Sequence, residues 1–191
     1  MNFCSHCGAP VTLRIPPGDT LIRAVCDACG TIHYQNPKLV VGTLPIWEDK
    51  VLLCRRAIEP RQGMWTLPAG FMENHETMAE AATRETLEEA CANIELGAMY
   101  TLISVPHICQ VHAIYRARLL NLDFSPGAET LEVALLAEHE IPWDEIAFRT
   151  IAMTLRHYYA DRKAGHFGFH TAELRPVINS GAELLQPDPQ K

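Results

Sequence analysis

Residues 70–92 read GFMENHETMAEAATRETLEEACA, and this stretch decides the fold of the chain. The segment from Thr77 to Cys91 is rich in Ala, Glu, Leu, Met and Arg and contains neither Gly nor Pro, which predicts a helix. Thr77 and Glu80 have the spacing of a capping box, in which each residue satisfies a backbone N–H group that the first turn leaves free. We therefore expect a helix that begins at Thr77 and runs to the end of this stretch.

Three glutamates of this helix share one face. Glu85, Glu88 and Glu89 are related by the spacings i, i+3 and i+4, which bring side chains together on a helix surface. Like charges at these spacings repel each other, and a divalent cation that takes oxygen ligands, such as Mg²⁺ or Mn²⁺, neutralises them. Magnesium held by carboxylates commonly also contacts a substrate phosphate. Without further information, the solvated acidic face of an ordinary helix is the more common explanation.

The wider pattern resembles the signature of the Nudix hydrolases, which is Gly-x5-Glu-x7-Arg-Glu-x2-Glu-Glu. Here it runs from Gly70 through Glu76 and Arg84 to the three glutamates. Two positions depart from the family pattern, because Thr86 replaces an aliphatic residue and Cys91 stands where the family has glycine. A Cβ at position 91 disfavours the left-handed turn that would end the helix.

The resemblance assigns roles to the residues of this pattern. We expect Glu85, Glu88 and Glu89 to bind Mg²⁺ or Mn²⁺, with the backbone carbonyl of Ala69 or Gly70 as a candidate further ligand. Gly70 would let the backbone approach the metal or the substrate phosphate. Arg84 precedes Glu88 by four residues, so that it can pair with this carboxylate and orient it. The candidate catalytic residues are Arg84, Glu88, Glu89 and Glu132.

The general base is less well defined by the sequence. In Nudix enzymes it is a glutamate of the signature or a carboxylate of a later loop. This chain offers Glu129 and Glu132 just after a Pro-Gly turn, and Glu132 is preferred as the base or as a further metal ligand.

Two Cys-x-x-Cys pairs near the start of the chain form a second pattern. They are separated by 18 residues and consist of Cys4, Cys7, Cys26 and Cys29. This spacing predicts a tetrahedral structural zinc site, which has no open position for catalysis and contributes to folding. Two disulfides are the alternative, but the odd count of seven cysteines and the lack of a recognisable signal peptide argue against them.

Composition narrows the class of protein. The 191 residues suffice for one moderate domain and a small appendage, and no apolar run reaches membrane-spanning length. Residues 73–89 hold six acidic residues and one basic residue, so that the acidity is local and the remaining surface does not favour a nucleic acid backbone. Because three cysteines remain unpaired, we expect a reducing, cytoplasmic location.

The order of predicted elements gives the domain organisation. We expect a zinc ribbon at residues 1–35, a Nudix hydrolase domain at 36–170 and a C-terminal extension or tail at 171–191. The mixture of strands with a second helix near 150–163 indicates an α/β or α+β fold. The resemblance narrows this to a mixed sheet sandwiched between helices.

Residues 3–150 together resemble the zinc-ribbon-bearing ADP-ribose/FAD pyrophosphatase branch of the family. This resemblance implies metal-dependent hydrolysis of the pyrophosphate bond in a nucleoside diphosphate linked to another group, with release of AMP from ADP-ribose or FAD. It also implies a homodimer. Candidates for stacking on a base or binding phosphate are these four residues: Arg55, Arg61, Trp65 and Phe71.

Two alternatives stay open. The first is a pyrophosphatase acting on NADH or NAD-capped RNA, although residues 104–110 read SVPHICQ where bacterial NADH pyrophosphatases carry SQPWPFP. The second is a nucleotide sensor without activity, whose zinc ribbon serves as a binding module. Because a sensor is expected to lose at least one signature glutamate and none is missing here, the sequence favours the enzyme.

Overall fold

The computed structural model describes residues 1–176 of the chain and contains two compact units. The first unit is Met1–Asn36, and the second begins at Pro37. In the first unit a three-stranded antiparallel sheet, ordered β1-β2-β3, carries the two cysteine pairs at its turns. Its strands are β1 (Val11–Arg14), β2 (Arg23–Cys26) and β3 (Ile32–His33).

The second unit is built on an eight-stranded mixed sheet with the main order β10-β5-β4-β9-β8-β11. The pairs β4/β9 and β8/β11 are parallel, the other pairs are antiparallel, and β6 and β7 extend the sheet from β5 and β4. The strands are β4 (Lys38–Trp47), β5 (Lys50–Arg56), β6 (Trp65–Thr66), β7 (Ala69–Phe71), β8 (Ile94–Val105), β9 (Gln110–Leu119), β10 (Thr130–Leu136) and β11 (His170–Glu173).

Two helices cover opposite faces of this sheet. Helix α1 (Met78–Ala90) packs Ala81 and Ala82 against Val41, whereas α2 (Arg149–Ala164) packs against Leu44 on the other face of the same strand. Val41 and Leu44 face opposite ways because side chains alternate along a strand. The predicted mixed sheet between helices is confirmed. Among residues 1–176, no helix combines the length and apolarity needed to cross a membrane.

The first residues of the predicted C-terminal extension or tail, 171–191, lie within the described structure. His170–Glu173 forms β11, which pairs in parallel with Thr101–Ser104 of β8 and extends the sheet by one strand. The hydrogen bond from the Leu174 N–H group to the Ser104 carbonyl, at 2.8 Å, continues this pairing. Residues 171–173 therefore belong to the sheet, and residues 177–191 of the predicted tail lie outside the described residues.

The start of α1 is the predicted capping box. The Thr77 hydroxyl accepts from the Glu80 N–H group at 3.2 Å, and a Glu80 carboxylate oxygen accepts from the Thr77 N–H group at 2.7 Å. At the other end, Cys91 adopts the left-handed conformation (φ 47°), and its N–H group donates to the Leu87 carbonyl at 2.9 Å. The turn therefore forms in spite of the Cβ.

This strained turn gives a prediction about stability. Cys91→Gly is expected to raise the free energy of unfolding by about 1 kcal/mol, because glycine adopts the left-handed conformation without a Cβ clash. Chemical denaturation measures the change. Cys91→Ala is the control, since it removes the thiol but keeps the Cβ, and an equal gain in both variants would contradict the strain argument.

Candidate active site

The acidic face of α1 lies against the short strand β7. Glu85 and Glu89 are each only 8% exposed, whereas the side chain of Glu88 is 58% exposed. The Ala69 N–H group at the start of β7 donates to Glu89 Oε2 at 3.1 Å. Two of the three predicted metal ligands thus lie at the junction of helix and sheet, and the third lies at the solvent edge.

Arg84 joins these carboxylates into one network. Its Nη1 atom donates to Glu85 Oε1 at 2.7 Å and to Glu88 Oε2 at 3.0 Å, which confirms the predicted pairing with Glu88. Its Nε and Nη2 atoms donate to the two oxygens of Glu76 at 3.0 and 2.7 Å. The bond to Arg84 lowers the pKa of the Glu76 carboxyl. Glu76 therefore holds Arg84 in place, as expected for a residue with a structural role.

The carboxylates of this face carry more negative charge than Arg84 can balance. Burial raises the pKa of Glu89 to about 8, against the opposing effect of the Ala69 hydrogen bond. Burial also raises the pKa of Glu85. Arg84 supplies one positive charge to a cluster of several carboxylates. An oxygen-only donor set that is partly buried and short of positive charge fits a hard divalent cation such as Mg²⁺ or Mn²⁺.

Gly70 is required by the position of Glu85. A Cβ on Gly70 would overlap the Glu85 carboxylate. The backbone of Gly70 is not left-handed, so a side chain here would conflict with the position of the Glu85 carboxylate and not with the backbone conformation. Gly70 therefore permits β7 to approach the acidic face of the helix, which agrees with the predicted close approach of its backbone.

A substitution tests this role of Gly70. Gly70→Ala is expected to displace the Glu85 carboxylate and to lower the hydrolysis rate by about 10²-fold, since misplacement by about 1 Å can cost this much. Gly168→Ala is the matched control, because a Cβ there meets nothing within 4 Å. Steady-state kinetics and thermal melting of both variants check the prediction. A Gly70→Ala enzyme with the wild-type rate would contradict it.

The loop before β10 brings a further carboxylate to this face. The Gly127 N–H group donates to the Glu89 carbonyl at 3.0 Å, and a Cβ on Gly127 would overlap the Glu88 carbonyl, so that the loop lies directly against the end of α1. The charge of Glu129, two residues later, contributes to the raised pKa values of Glu85 and Glu89, after the larger effect of burial.

Glu132, the preferred base, lies elsewhere. Its Oε2 atom is 3.6 Å from Nη1 of Arg55, its neighbour on β5. It shares a strand face with Ala134 and Leu136, which pack against the α2 side of the sheet, whereas Glu89 lies on the α1 side. Glu132 as the base therefore stays a prediction, and the loop that carries Glu129 is the one that lies against the end of α1.

Two of the four candidate substrate-binding residues are exposed, and the other two are buried or bonded within the protein. Trp65 is only 8% exposed and belongs to the core cluster on the α2 side, so that it offers no face for stacking on a base. Phe71 is 45% exposed beside Gly70, and Nζ of Lys38 lies 4.9 Å from its ring centroid. Arg55 is bound internally, because its Nε atom donates to the Gly63 carbonyl at 2.8 Å. Arg61 is exposed in the adjoining loop.

One arginine near this site was not identified from the sequence. Arg56 ends β5, and its positive charge acts against the raised pKa of Glu89, which burial mainly sets. The period-two alternation of side chains in strands could have identified it, since two consecutive arginines of a strand face opposite sides of the sheet.

The cysteine pairs form a separate centre within the first unit. Their four Sγ atoms all lie within 4.8 Å of one another, with Cys4–Cys29 at 3.7 Å and Cys7–Cys26 at 3.5 Å. Four sulfurs at about 2.3 Å from a tetrahedral zinc ion are about 3.8 Å apart, and a disulfide requires about 2.05 Å. The cysteines are unbridged, and the donor set fits zinc.

Comparison with protein families gives two consecutive matches. The zinc ribbon model described as Nudix N-terminal matches residues 2–35, and the NUDIX domain model matches residues 36–152. The crystal structure of a NUDIX hydrolase from Nitrosomonas europaea is 57% identical, covers 91% of this chain and 99% of its own, and superposes with a TM-score of 0.89.

Two further matches are less similar in sequence, and each covers only part of the chain. The NAD-capped RNA hydrolase NudC of Salmonella heidelberg is 34% identical over 91 residues, which are 47% of this chain and 33% of that protein. The chain thus matches about a third of the length of such curated relatives. A bifunctional NMN adenylyltransferase/ADP ribose pyrophosphatase from Francisella tularensis is 18% identical, with a TM-score of 0.59 over 66% of this chain and 42% of its own, and shares the fold.

Proposed function

The chain belongs to the NUDIX domain family, and we propose that it hydrolyses the pyrophosphate bond of a nucleoside diphosphate linked to another group, with ADP-ribose or FAD as substrate and AMP as a product. The single observation that carries this proposal is the acidic face of α1, where Glu85, Glu88 and Glu89 meet Arg84 and β7. A site made of carboxylate oxygens with too little positive charge suits a divalent cation and, with it, a phosphate substrate.

The residues of the site have distinct tasks in this reaction. Bound Mg²⁺ or Mn²⁺ would neutralise charge on the pyrophosphate oxygens and lower the pKa of a water molecule. Glu85, Glu88 and Glu89 would hold the cations, and Arg84 keeps two of these carboxylates in position. Glu129 would accept the proton of the attacking water, because its loop lies against the end of α1.

Two substitutions test the assignment of the general base, one at Glu129 in the loop before β10 and one at Glu132 within β10. Glu129→Gln is expected to lower kcat by about 10²-fold or more, the usual contribution of a general base. Glu132→Gln is expected to lower kcat by about threefold at most, because it removes only one partner of an exposed ion pair. The pH dependence of kcat distinguishes a base from a merely structural carboxylate. The reverse order of effects would reinstate Glu132.

A second candidate function has its own support. The similarity to NudC, which is named as an NAD-capped RNA hydrolase, favours NAD-capped RNA as substrate, and NADH is the other member of this alternative. Nucleic acid would then be a partner, contrary to the expectation from the surface charge. The first candidate function has a different basis, namely the resemblance of residues 3–150 to ADP-ribose/FAD pyrophosphatases.

A hydrolysis panel tests these functions together. The purified chain is supplied with Mg²⁺ or Mn²⁺ and with FAD, ADP-ribose, NADH or NAD-capped RNA, and the phosphate-bearing products are identified. We expect AMP from ADP-ribose or FAD as the fastest reaction, and none after chelation of the metal. Preference for NAD-capped RNA would favour the second candidate, and tight binding without turnover would favour the nucleotide sensor.

We also propose that the chain forms a homodimer to which the zinc ribbon contributes. Several large apolar side chains of this small unit are more than half exposed, among them Phe3, Leu13, Ile22 and Tyr34. Exposed apolar surface of this kind favours protein contacts. Light scattering measures the molar mass in solution, and a monomer at high concentration would contradict the proposal. The domain boundaries and the cytoplasmic location stay predictions.

A further inference from the structure

A pair of threonine hydroxyls lies between α1 and β4. Thr86 stands where the family signature has an aliphatic residue, and its Oγ1 atom is 2.6 Å from that of Thr43 on β4. Both residues are fully buried. The Thr86 hydroxyl donates to the Ala82 carbonyl at 2.8 Å. Because a hydroxyl has a single proton to donate, Thr43 is the donor of the shared bond and Thr86 is its acceptor.

Thr43 also holds the segment that leads into β7. Its N–H group donates to the Pro68 carbonyl at 3.1 Å. The next residue is Ala69, whose own N–H group donates to Glu89 Oε2. On the helix, Thr86 precedes Glu89 by three residues, so that the two side chains are neighbours on its surface. Thr43 thus contacts both sides of the acidic site, the start of β7 through its backbone and α1 through its side chain.

The length of the hydroxyl–hydroxyl bond sets how closely α1 approaches β4. The two oxygens of Thr43 and Thr86 are 2.6 Å apart, whereas two carbon atoms in contact are about 3.5–4.0 Å apart. Aliphatic side chains at both positions would therefore push α1 away from β4 by about 1 Å. A displacement of this size at catalytic groups can lower a rate by about 10²-fold.

We infer that Thr43 and Thr86 are positioning residues, which hold α1 at the distance from β7 that metal binding by Glu85 and Glu89 requires. This inference rests on the proposed function, which assigns these two glutamates to the divalent cation. The hydroxyls act through the helix and not on the cation or the substrate, because Glu85 directly precedes Thr86 and Glu89 follows it by three residues.

The other helix carries a matched control. The Thr154 hydroxyl on α2 donates to the Thr150 carbonyl at 2.9 Å, and its Oγ1 atom is 3.0 Å from that of Thr101 on β8. Thr101 and Thr154 are also fully buried. This pair has the same chemistry as Thr43 and Thr86, but it lies on the α2 side of the sheet. It separates the loss of any buried hydroxyl pair from the loss of the pair beside the carboxylates.

Valine substitutions in both pairs test the inference. Mn²⁺ is titrated calorimetrically against the wild type, Thr43→Val/Thr86→Val and Thr101→Val/Thr154→Val, and each protein is compared by thermal melting and by kcat and KM for ADP-ribose. We expect Thr43→Val/Thr86→Val to weaken Mn²⁺ binding and to lower kcat by about 10- to 100-fold each, the usual effect of losing a group that orients metal ligands. The α2 variant is expected to keep the Mn²⁺ affinity and kcat of the wild type.

Two smaller substitutions complete the test. Thr43→Ser/Thr86→Ser retains both hydroxyls and is expected to keep most of the Mn²⁺ affinity. Thr43→Ala removes one hydroxyl without overlap, so that it remains informative if the double valine variant does not fold. It is expected to weaken Mn²⁺ binding by about three- to tenfold, the usual value of one hydrogen bond, whereas Thr101→Ala leaves Mn²⁺ binding unchanged.

The outcomes separate the inference from the proposed function. Wild-type Mn²⁺ affinity in Thr43→Val/Thr86→Val or in Thr43→Ala, an equal loss of affinity in the α2 variants, or no Mn²⁺ binding by the wild type would overturn the inference. Mn²⁺ binding that depends on the Thr43–Thr86 pair, in a protein that hydrolyses nothing, would support the inference and overturn the proposed function.

Discussion

Replacement of Glu89 by glutamine is expected to abolish hydrolysis while the protein stays folded. Glu89 is one of two carboxylates buried where α1 meets β7, and glutamine lacks the negative charge that a divalent cation requires. A catalytic metal contributes several kcal/mol to stabilisation of the transition state. The loss should therefore be about 10³-fold or more in kcat. Glu88→Gln is expected to behave in the same way.

The fold should tolerate this substitution. Glutamine has the shape of glutamate, and its amide oxygen can accept the hydrogen bond from the Ala69 N–H group that Glu89 accepts in the structure. Glu95→Gln is the matched control, because Glu95 is exposed and its pairing with Arg118 lies outside the acidic face. Kinetics, direct titration of Mn²⁺ and thermal melting are compared for all variants. Near-normal rates in both Glu88→Gln and Glu89→Gln would rule out the assigned metal site.

Loss of one zinc ligand is expected to unfold the first unit. Cys26 is the fully buried member of the second cysteine pair, and the unit has three short strands with few buried apolar side chains. In zinc-finger peptides a structural zinc ion contributes about 10–16 kcal/mol of apparent binding free energy, which is free energy of folding. We expect one zinc per chain in the wild type and almost none in Cys26→Ser.

Metal analysis and proteolysis check this prediction. Residues 1–36 of Cys26→Ser should be cleaved rapidly, whereas the second unit, which has its own core, should resist cleavage. Cys109→Ser is the control, because Cys109 is an exposed, unbridged cysteine outside the ribbon. A wild-type protein without zinc, whose ribbon thiols are oxidised in pairs, would show that the cysteines form disulfides.

Patterns within one segment were predictable because local geometry sets them. The hydrogen bonds of a helix place residues i, i+3 and i+4 on one face, so that the shared face of Glu85, Glu88 and Glu89 and the Arg84–Glu88 pair follow from spacing alone. The capping box at Thr77 is equally local. The cysteine pairs are predictable for a similar reason, since each Cys-x-x-Cys turn presents two sulfurs to one point.

Contacts between segments depend on strand pairing, which the sequence does not reveal. A register shift between Thr130 and Glu132 sets which residues of β10 meet β5, and a shift of one residue moves a side chain to the other face of a sheet. This pairing places Glu132 beside Arg55, and it brings the loop that carries Glu129 against the end of α1. Burial of Trp65 likewise depends on the packing of α2 against β6 and its neighbours.

The sequence alone therefore determined the fold family, the acidic helix face and the cluster of four cysteines, because each depends on residue spacing within short segments. The tertiary structure determined which residues accompany that face. It shows that Gly70 makes room for Glu85, that the loop carrying Glu129 lies against the end of α1, and that Glu132 pairs with Arg55. These residues come from separate strands and loops, and their proximity results from the register of the sheet and the packing of loops on α1.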